Sequence, residues 1–276
     1  MYPRVNVLIL NWNGENIIED CVKSVLQSKY KNLIVTVIDN GSIDKSIDSL
    51  VDKKYNINFI RIKKNLGFAK GYNFAFEKIK NDNNDFFLIL NNDTIINENT
   101  ISKFVEKSNE YGHGHIFGPK IINANDKSNW FCGGKINKIT GQPYHLGINT
   151  TERYVSFKSS AVEYISGCCM FLSSKTLYSL GGFNPRYKMY YEDVDFCLRA
   201  KTKGVHSFYF SDISIDHLVS YSIGGRFSSA KLLIKFFSFI KFLYFNHSLF
   251  LFLFYFITNI FVFPFSLLIF LFRKLK

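Results

Sequence analysis

Two acidic clusters about a hundred residues apart have the residue types for chemistry: Leu90-Asn91-Asn92-Asp93-Thr94 and Tyr191-Glu192-Asp193-Val194-Asp195. The first follows Phe86 to Leu90, a short apolar run that predicts a buried strand, so Asp93 falls at a strand's C-terminal end. In open α/β sheets ligands bind in the crevice at that edge. A single carboxylate among amides suits Mg²⁺ or Mn²⁺, hard cations that take few protein oxygens and complete their shells with phosphate and water. The second cluster opens a predicted helix, with Val194, Cys197, Leu198 and Lys201 at helical spacing and Gly204 as its stop. Its carboxylates can serve as a general base, which must be placed to take a proton in the transition state. A helix N-terminus favours their ionised form. The plain alternative is that Asp93 only ends a strand, and Glu192 and Asp193 only open a helix.

The elements that would position these groups alternate regularly. Val5 to Leu10 reads as a strand, Asn11-Trp12-Asn13-Gly14 as a turn, and Ile17, Ile18, Cys21, Val22, Val25 and Leu26 as one helical face. A second strand, Leu33 to Ile38, ends in Asp39-Asn40-Gly41-Ser42, after which Asp44 is a candidate helix cap. Ile57 to Ile62 follows, then the loop Asn65 to Asn73, then the strand before Asp93. Short links between strand and helix predict right-handed crossovers and a mainly parallel sheet. Every polar motif so far lies at one edge of it. Further on, Ser166 to Leu172 reads as a buried strand with a close approach at Gly167, and Val205 to Phe210 as another, leading to His217.

In this order, Ile-Leu-Asn-Trp-Asn-Gly, Ile-Asp-Asn-Gly-Ser, Asn-Leu-Gly-Phe-Ala-Lys-Gly-Tyr-Asn, Leu-Asn-Asn-Asp-Thr and Tyr-Tyr-Glu-Asp-Val-Asp-Phe-Cys-Leu-Arg resemble the family 2 glycosyltransferases, most closely the bacterial rhamnosyltransferase-like members. The resemblance runs from about Val5 to His217. It implies an α/β GT-A fold, a mainly parallel sheet flanked by helices; a nucleotide-sugar donor, dTDP- or UDP-linked; Mn²⁺ or Mg²⁺; and inversion at the anomeric carbon. By the same resemblance Asp39 binds the pyrimidine imide, and Asn11, Asn65, Gly67, Gly71, Asn73, Asn92 and Gly167 border the donor. Asp93 matches the last acid of the family's D-x-D motif and His217 a histidine that completes the metal site. Asn91 departs from the common aspartate, leaving Asp93 and the diphosphate as the main ligands. Asp193 matches the catalytic base, with Glu192 beside it, and Asp195 orients neighbours. The Trp130 to Gly134 and Gly141 to Gly147 stretches, with Tyr144 and His145, resemble the acceptor side; Trp130 suits a sugar platform or the core equally.

Composition adds a membrane. After Ser222-Ile223-Gly224-Gly225-Arg226, read as a linker, Phe, Leu and Ile dominate, which divides the chain into a catalytic domain (1–225) and hydrophobic membrane-associating helices (226–276). Ser248 to Phe272 carries no charged side chain, and about 20 such residues span a bilayer. Lys231, Lys235 and Lys241 punctuate Leu232, Phe236, Phe239, Ile240 and Leu243, a basic amphipathic helix suited to a membrane surface. Spanning, re-entrant and hairpin forms of the tail all fit, as does a helix packed against the catalytic domain. No basic region followed by an apolar core opens the chain, so no signal peptide is expected, and the catalytic domain is expected at the cytoplasmic face of the membrane. The net charge of +12 comes without a nucleic-acid module, so anionic lipid and a lipid-linked glycan acceptor are the expected partners. Five cysteines without a C-x-x-C pair predict reduced, packed thiols. A catalytically silent assembly partner is the reading from another class, disfavoured by intact Asp39, Asp93, Asp193 and His217. A sugar nucleotidyltransferase is disfavoured because no glycine-rich loop follows the first strand.

Overall fold

The computed structural model describes residues 2–80, 82, 84–151, 157–218 and 229–274, with the backbone alone at 229–231 and 262–274. The first half alternates as its sequence predicts: β1 (Val5–Asn11), α1 (Ile18–Leu26), β2 (Leu33–Asp39), α2 (Ser46–Asp52), β3 (Asn58–Arg61), α3 (Phe68–Lys78) and β4 (Phe86–Asn91). There follow β5 (Thr94–Ile96), α4 (Thr100–Tyr111), β6 (Ile116–Asn123), β7 (Asn129–Phe131), β8 (Gly134–Ile136), β9 (Pro143–His145) and β10 (Ser160–Val162). The chain continues through β11 (Cys169–Ser173), α5 (Ser174–Leu180), α6 (Glu192–Thr202), β12 (Ser207–His217), α7 (Ser229–Asn246) and α8 (Leu249–Lys274).

Among the described residues, ten strands form one sheet in which β10-β12-β6-β11-β4-β1-β2-β3 are successive neighbours, with β5 paired to β12 and β7 to β6. β1 and β4 are buried along almost their whole length. Parallel strands covered on both faces need such continuous apolar runs. The parallel register sets Asn11 opposite Asp39, Asp39 opposite Arg61, and Leu10 opposite Asn91. One sheet edge thus collects the polar ends. β11 runs antiparallel to β4 with Cys169 opposite Leu90, so the turn before it reaches that same edge. β12 pairs β5 with His217 opposite Thr94, and the Leu218 amide donates to the Asp93 carbonyl at 2.8 Å. This pairing brings His217 to Asp93.

Several local expectations change. Residues 65–73 are not one loop, since α3 starts at Phe68. Gly67 permits that start with φ +81°, where a Cβ would lie 2.2 Å from the Lys188 carbonyl oxygen. The strand predicted from Ser166 begins at Cys169, because Ser166 to Cys168 form a turn closed by the Cys169 amide on the Ser166 carbonyl. Asp44 is not the cap residue of α2, which is Lys45, but its carboxylate accepts the Ser46 amide at 3.2 Å.

The tail departs most from expectation. The predicted linker and the boundary at 225/226 lie outside the described residues. Beyond them α7 is docked on the catalytic domain rather than hanging free: Phe242 and Leu243 are fully buried and Phe239 nearly so. Ser238 donates to the Met189 carbonyl at 2.7 Å and Lys241 to that of Arg186 at 3.1 Å. From α8, Thr258 and Asn259 donate to the Ile139 and Thr140 carbonyls at 3.0 and 2.7 Å. Helix α7 therefore has apolar residues on two sides, with Leu232, Leu233, Phe236 and Phe237 left exposed. Among the described residues no helix is long and apolar enough to cross a membrane. The uncharged stretch predicted to Phe272 runs past the last described side chain, Phe261.

Candidate functional site

A cavity of about 570 Å³ opens at the polar edge of the sheet and is lined by Asp93, His217, Gly167, Glu192 and Asp193 among others. Asp93 comes from the turn after β4, His217 from the end of β12, Gly167 from the turn before β11, and the two carboxylates from the first turn of α6. Elements far apart in sequence thus converge on one space.

Asp93 and His217 form a pair buried from solvent, with Nε2 3.2 Å from Asp93 Oδ1. They are close without being aligned as a hydrogen bond: Asp93 Oδ1 and His217 Nδ1 are buried polar atoms without a hydrogen-bond partner. Such atoms cost free energy unless something not belonging to the chain satisfies them. The spacing suits a shared cation, because an octahedral ion with bonds of about 2.1 Å sets neighbouring ligands about 3.0 Å apart. Among the described residues no three His, Cys, Asp or Glu side chains gather round one point, so a cation would take two protein ligands. Burial opposes a charged His217, but the adjoining Cys168 and Asp93 outweigh it and raise its pKa well above the usual value. Cys168 itself stays a thiol, pushed up to about 11 by burial, so the Asp93 charge is the effective cause. Trp130 supports this pair, its ring edge-on to His217 at 4.7 Å and to His145 at 4.5 Å.

Across the cavity, Asp193 Oδ2 accepts the Gly167 amide and Oδ1 the Val194 amide, both at 2.8 Å. A Cβ at Gly167 would lie 2.8 Å from the Phe68 ring, so the backbone can approach Asp193 only as glycine. Burial raises the Asp193 pKa against these two amide donors. Burial, together with the Asp193 charge, pushes Glu192 up to about 8. Glu192 Oε2 is a buried atom with no partner. The helix N-terminus does not keep Glu192 ionised, because desolvation exceeds the effect of the helix end there. Asp193, with both oxygens held by N–H donors, is the member that ionises first, and Glu192 keeps its proton. Asp195 turns away as expected: it is buried, paired with Arg199 at 2.8 Å, and accepts from Asn246 of α7 at 3.0 Å and Tyr187 at 3.3 Å.

The remaining donor-side residues are not in the cavity. Asp39 stands half-buried at the same edge, its Oδ1 accepting the Ser42 amide at 2.8 Å. Asn11 is fully buried, with Nδ2 on Ser46 at 2.9 Å and Oδ1 accepting from Asn92 at 2.7 Å. This Asn11–Asn92 pair ties the end of β1 to the turn after β4, and Ser46 ties it to the start of α2. Asn65 Oδ1 accepts the Gly67 amide at 2.8 Å and shapes its own turn. Gly71 lies within α3, where a Cβ would press on Leu10 at 2.9 Å. Asn73, also in α3, bonds both the amide and the carbonyl of Phe183, at 2.9 and 2.6 Å. Gly71 and Asn73 are therefore packing and bracing residues.

Two features of the cavity were missed by sequence reasoning. Tyr190 and Tyr191 line it with φ of +71° each, a conformation that costs bulky residues roughly 1–3 kcal/mol and clusters at working sites. Their only signal was a tyrosine pair next to the acids. Lys235, read as a headgroup-facing lysine, lines the cavity from α7 instead. No local pattern distinguishes it from Lys231 or Lys241.

A mostly parallel sheet with flanking helices, polar strand ends and a cation-type pair facing two carboxylates defines a GT-A-like nucleotide-sugar glycosyltransferase. The family model described as "Glycosyl transferase family 2" matches residues 6–177, more than half of the chain, and the chain belongs to that family. Relatives include an N-acetylglucosaminyltransferase of Bradyrhizobium diazoefficiens, 26% identical over 60% of this chain and 34% of that protein. The low-salt glycan biosynthesis hexosyltransferase Agl10 of Haloferax volcanii is 22% identical over 75% and 64% of the two chains. An N-acetylglucosaminyl-diphospho-decaprenol L-rhamnosyltransferase of Mycobacterium tuberculosis is 22% identical over 69% and 68%. The chain thus spans from about a third to two thirds of these relatives. Similar solved structures include GalNAc-T7 with UDP, GalNAc and Mn²⁺ (TM-score 0.63, 13% identity, 78% of this chain and 44% of that one). Another is S. aureus TarS 1-349 with UDP-GlcNAc (TM-score 0.60, 16% identity, 87% and 64%). At such identities the likeness is one of fold.

Proposed function

We propose that this chain is an inverting, divalent-cation-dependent glycosyltransferase that moves a sugar from a dTDP- or UDP-linked donor to a hydroxyl of a lipid-linked acceptor, at the cytoplasmic face of the cell membrane. The observation that carries this reading is a single cavity holding Asp93 and His217 opposite Glu192 and Asp193. Asp93 and His217, the histidine giving up the proton that Asp93 otherwise favours, would hold Mn²⁺ or Mg²⁺, which when bound neutralises the charge of a departing nucleoside diphosphate. Asp193, fixed by the Gly167 and Val194 amides, takes the proton of the acceptor hydroxyl as that oxygen attacks the anomeric carbon. One displacement on the face opposite the leaving group inverts the configuration. Glu192, protonated at neutral pH, donates a hydrogen bond to the acceptor. Asp39 would accept the imide N–H of uracil or thymine, which both bases present.

Membrane attachment is supported by the exposed apolar residues of α7 and by Leu249, Phe250, Ile257, Ile260 and Phe261 of α8. Exposed apolar residues in such number suit an interaction face, and the chain's net charge of +12 favours anionic lipid as what covers it. The favoured donor is dTDP-rhamnose, on the sequence resemblance and the mycobacterial relative. A UDP-N-acetylhexosamine is the second reading, favoured by the rhizobial relative. Thermal protection by a panel of nucleotide sugars with Mn²⁺ tests both: stabilisation by dTDP-rhamnose above all others supports the first, and by UDP-N-acetylglucosamine the second. Protection by none of them, or equal protection in a chelator, contradicts the proposal.

A further inference from the structure

Lys235 is the only lysine or arginine among the described residues that line the reaction cavity. It belongs to α7, whose Leu232, Leu233, Phe236 and Phe237 stay exposed while Ser238, Phe239 and Phe242 turn onto the catalytic domain. The same helix thus presents an apolar outer side and one cation to the cavity. Lys235 makes no hydrogen bond or ion pair with a described residue, whereas Lys241, a turn and a half on, is engaged with the Arg186 carbonyl. Lys235 shares this cavity with the Asp93–His217 pair. As a residue it remains largely exposed, yet it lines the cavity, where desolvation lowers its pKa. A compact ammonium is suited to phosphate as a point charge.

Building on the glycosyltransferase reading above, we propose that Lys235 binds the phosphate or diphosphate of an amphiphilic acceptor whose apolar tail lies in lipid along the outer side of α7. The helix would then hold the acceptor at the phosphate, with its sugar hydroxyl directed at Asp193 and its tail left in the membrane. Such a site would be separate from the one that takes the donor's diphosphate at Asp93 and His217, in the same cavity.

The test uses the full chain in neutral detergent micelles, with farnesyl diphosphate and farnesol as probes and binding read by calorimetry. The diphosphate should bind more tightly than the alcohol. Lys235→Ala should weaken the diphosphate about tenfold or more, the range for a hydrogen bond to a charged group, and Lys235→Arg should restore most of it. Binding should persist in EDTA and in saturating UDP with Mn²⁺. Equal affinity for the two probes, an unchanged diphosphate affinity in Lys235→Ala, or displacement by UDP with Mn²⁺ would each overturn the proposal. Displacement by an equal concentration of short-chain phosphatidylglycerol would assign the site to lipid headgroups and overturn it likewise. A chain that still binds UDP with Mn²⁺ but lacks this phosphate affinity loses only the Lys235 assignment. One that binds neither loses the glycosyltransferase reading as well.

Discussion

Phe242 offers a sharp test of whether α7 is part of the catalytic domain. Its side chain is fully buried and stacks on Tyr191 with ring centroids 5.6 Å apart and planes 23° from parallel. Tyr191 holds φ +71° immediately before Glu192, and Phe239 flanks it at 5.7 Å. Phe242→Ala removes the larger part of that support. Truncating a buried phenylalanine costs about 3–5 kcal/mol. For a chain of this size each kcal/mol is about 2–4 °C, so the melting temperature should fall by about 6–20 °C. Phe237, one and a half turns away and 59% exposed, is the control: Phe237→Ala should change stability by no more than about 0.5 kcal/mol while weakening attachment to vesicles. Both variants can be read by thermal denaturation in the same micelles, followed by turnover and UDP binding at a temperature where each is folded. Phe242→Ala should also lower turnover more than UDP affinity, since it releases the tyrosine that aims the α6 carboxylates. A shift of less than about 2 °C for Phe242→Ala, or equal shifts for the two variants, would mean that α7 is not packed as described.

Three further outcomes are expected. Asp93→Asn should abolish Mn²⁺-dependent donor binding with little change in melting temperature, and full activity of that variant in a chelator would remove the metal from the account. Asp193→Asn should bind donor normally but lose about 10²- to 10⁴-fold in turnover; a larger loss in Glu192→Gln would move the base to Glu192. The third concerns pH. The folded chain holds the Glu192 proton up to about 8, whereas the unfolded one releases it near 4.5. Between these values the native state binds more protons, so this group makes stability fall as pH rises. Urea denaturation at pH 5 and pH 8 should show a smaller drop for Glu192→Gln than for the wild type, and an equal drop would show that the Glu192 pKa is not raised in the folded chain.

The first four strands and the edge they share were legible because parallel buried strands leave continuous apolar runs, and because Asp39 and Asp93 fall just where such runs stop; β5 to β10, among them the eight-residue β6 (Ile116–Asn123), and the order of the sheet were not. The convergence of Asp93, His217, Gly167, Glu192 and Asp193 followed from motif order. What was not legible is side-chain direction. Asn11 and Asn92 stand at the polar edge, yet the Asn92 amide nitrogen turns to Asn11 Oδ1 and the Asn11 nitrogen to Ser46, neighbours that come from other segments of the chain. Gly71 and Asn73 follow the same rule once α3 is seen to begin at Phe68. The balance between helix end and desolvation at Glu192 could not be read from spacing, since it depends on what covers the carboxylate. The two apolar sides of α7 were hidden for a related reason: a Phe- and Leu-rich helix carries no mark of which side meets protein and which meets lipid.

The central claim is tested most directly by nucleoside diphosphate release and product stereochemistry. The full chain in micelles, given Mn²⁺, a panel of dTDP- and UDP-sugars and a bacterial lipid extract, should release diphosphate from one donor in an acceptor-dependent manner. The transferred sugar should show inverted anomeric configuration by NMR, and Asp193→Asn should suppress release. Retained configuration, release that is indifferent to Asp193, or no release from any donor would contradict the account.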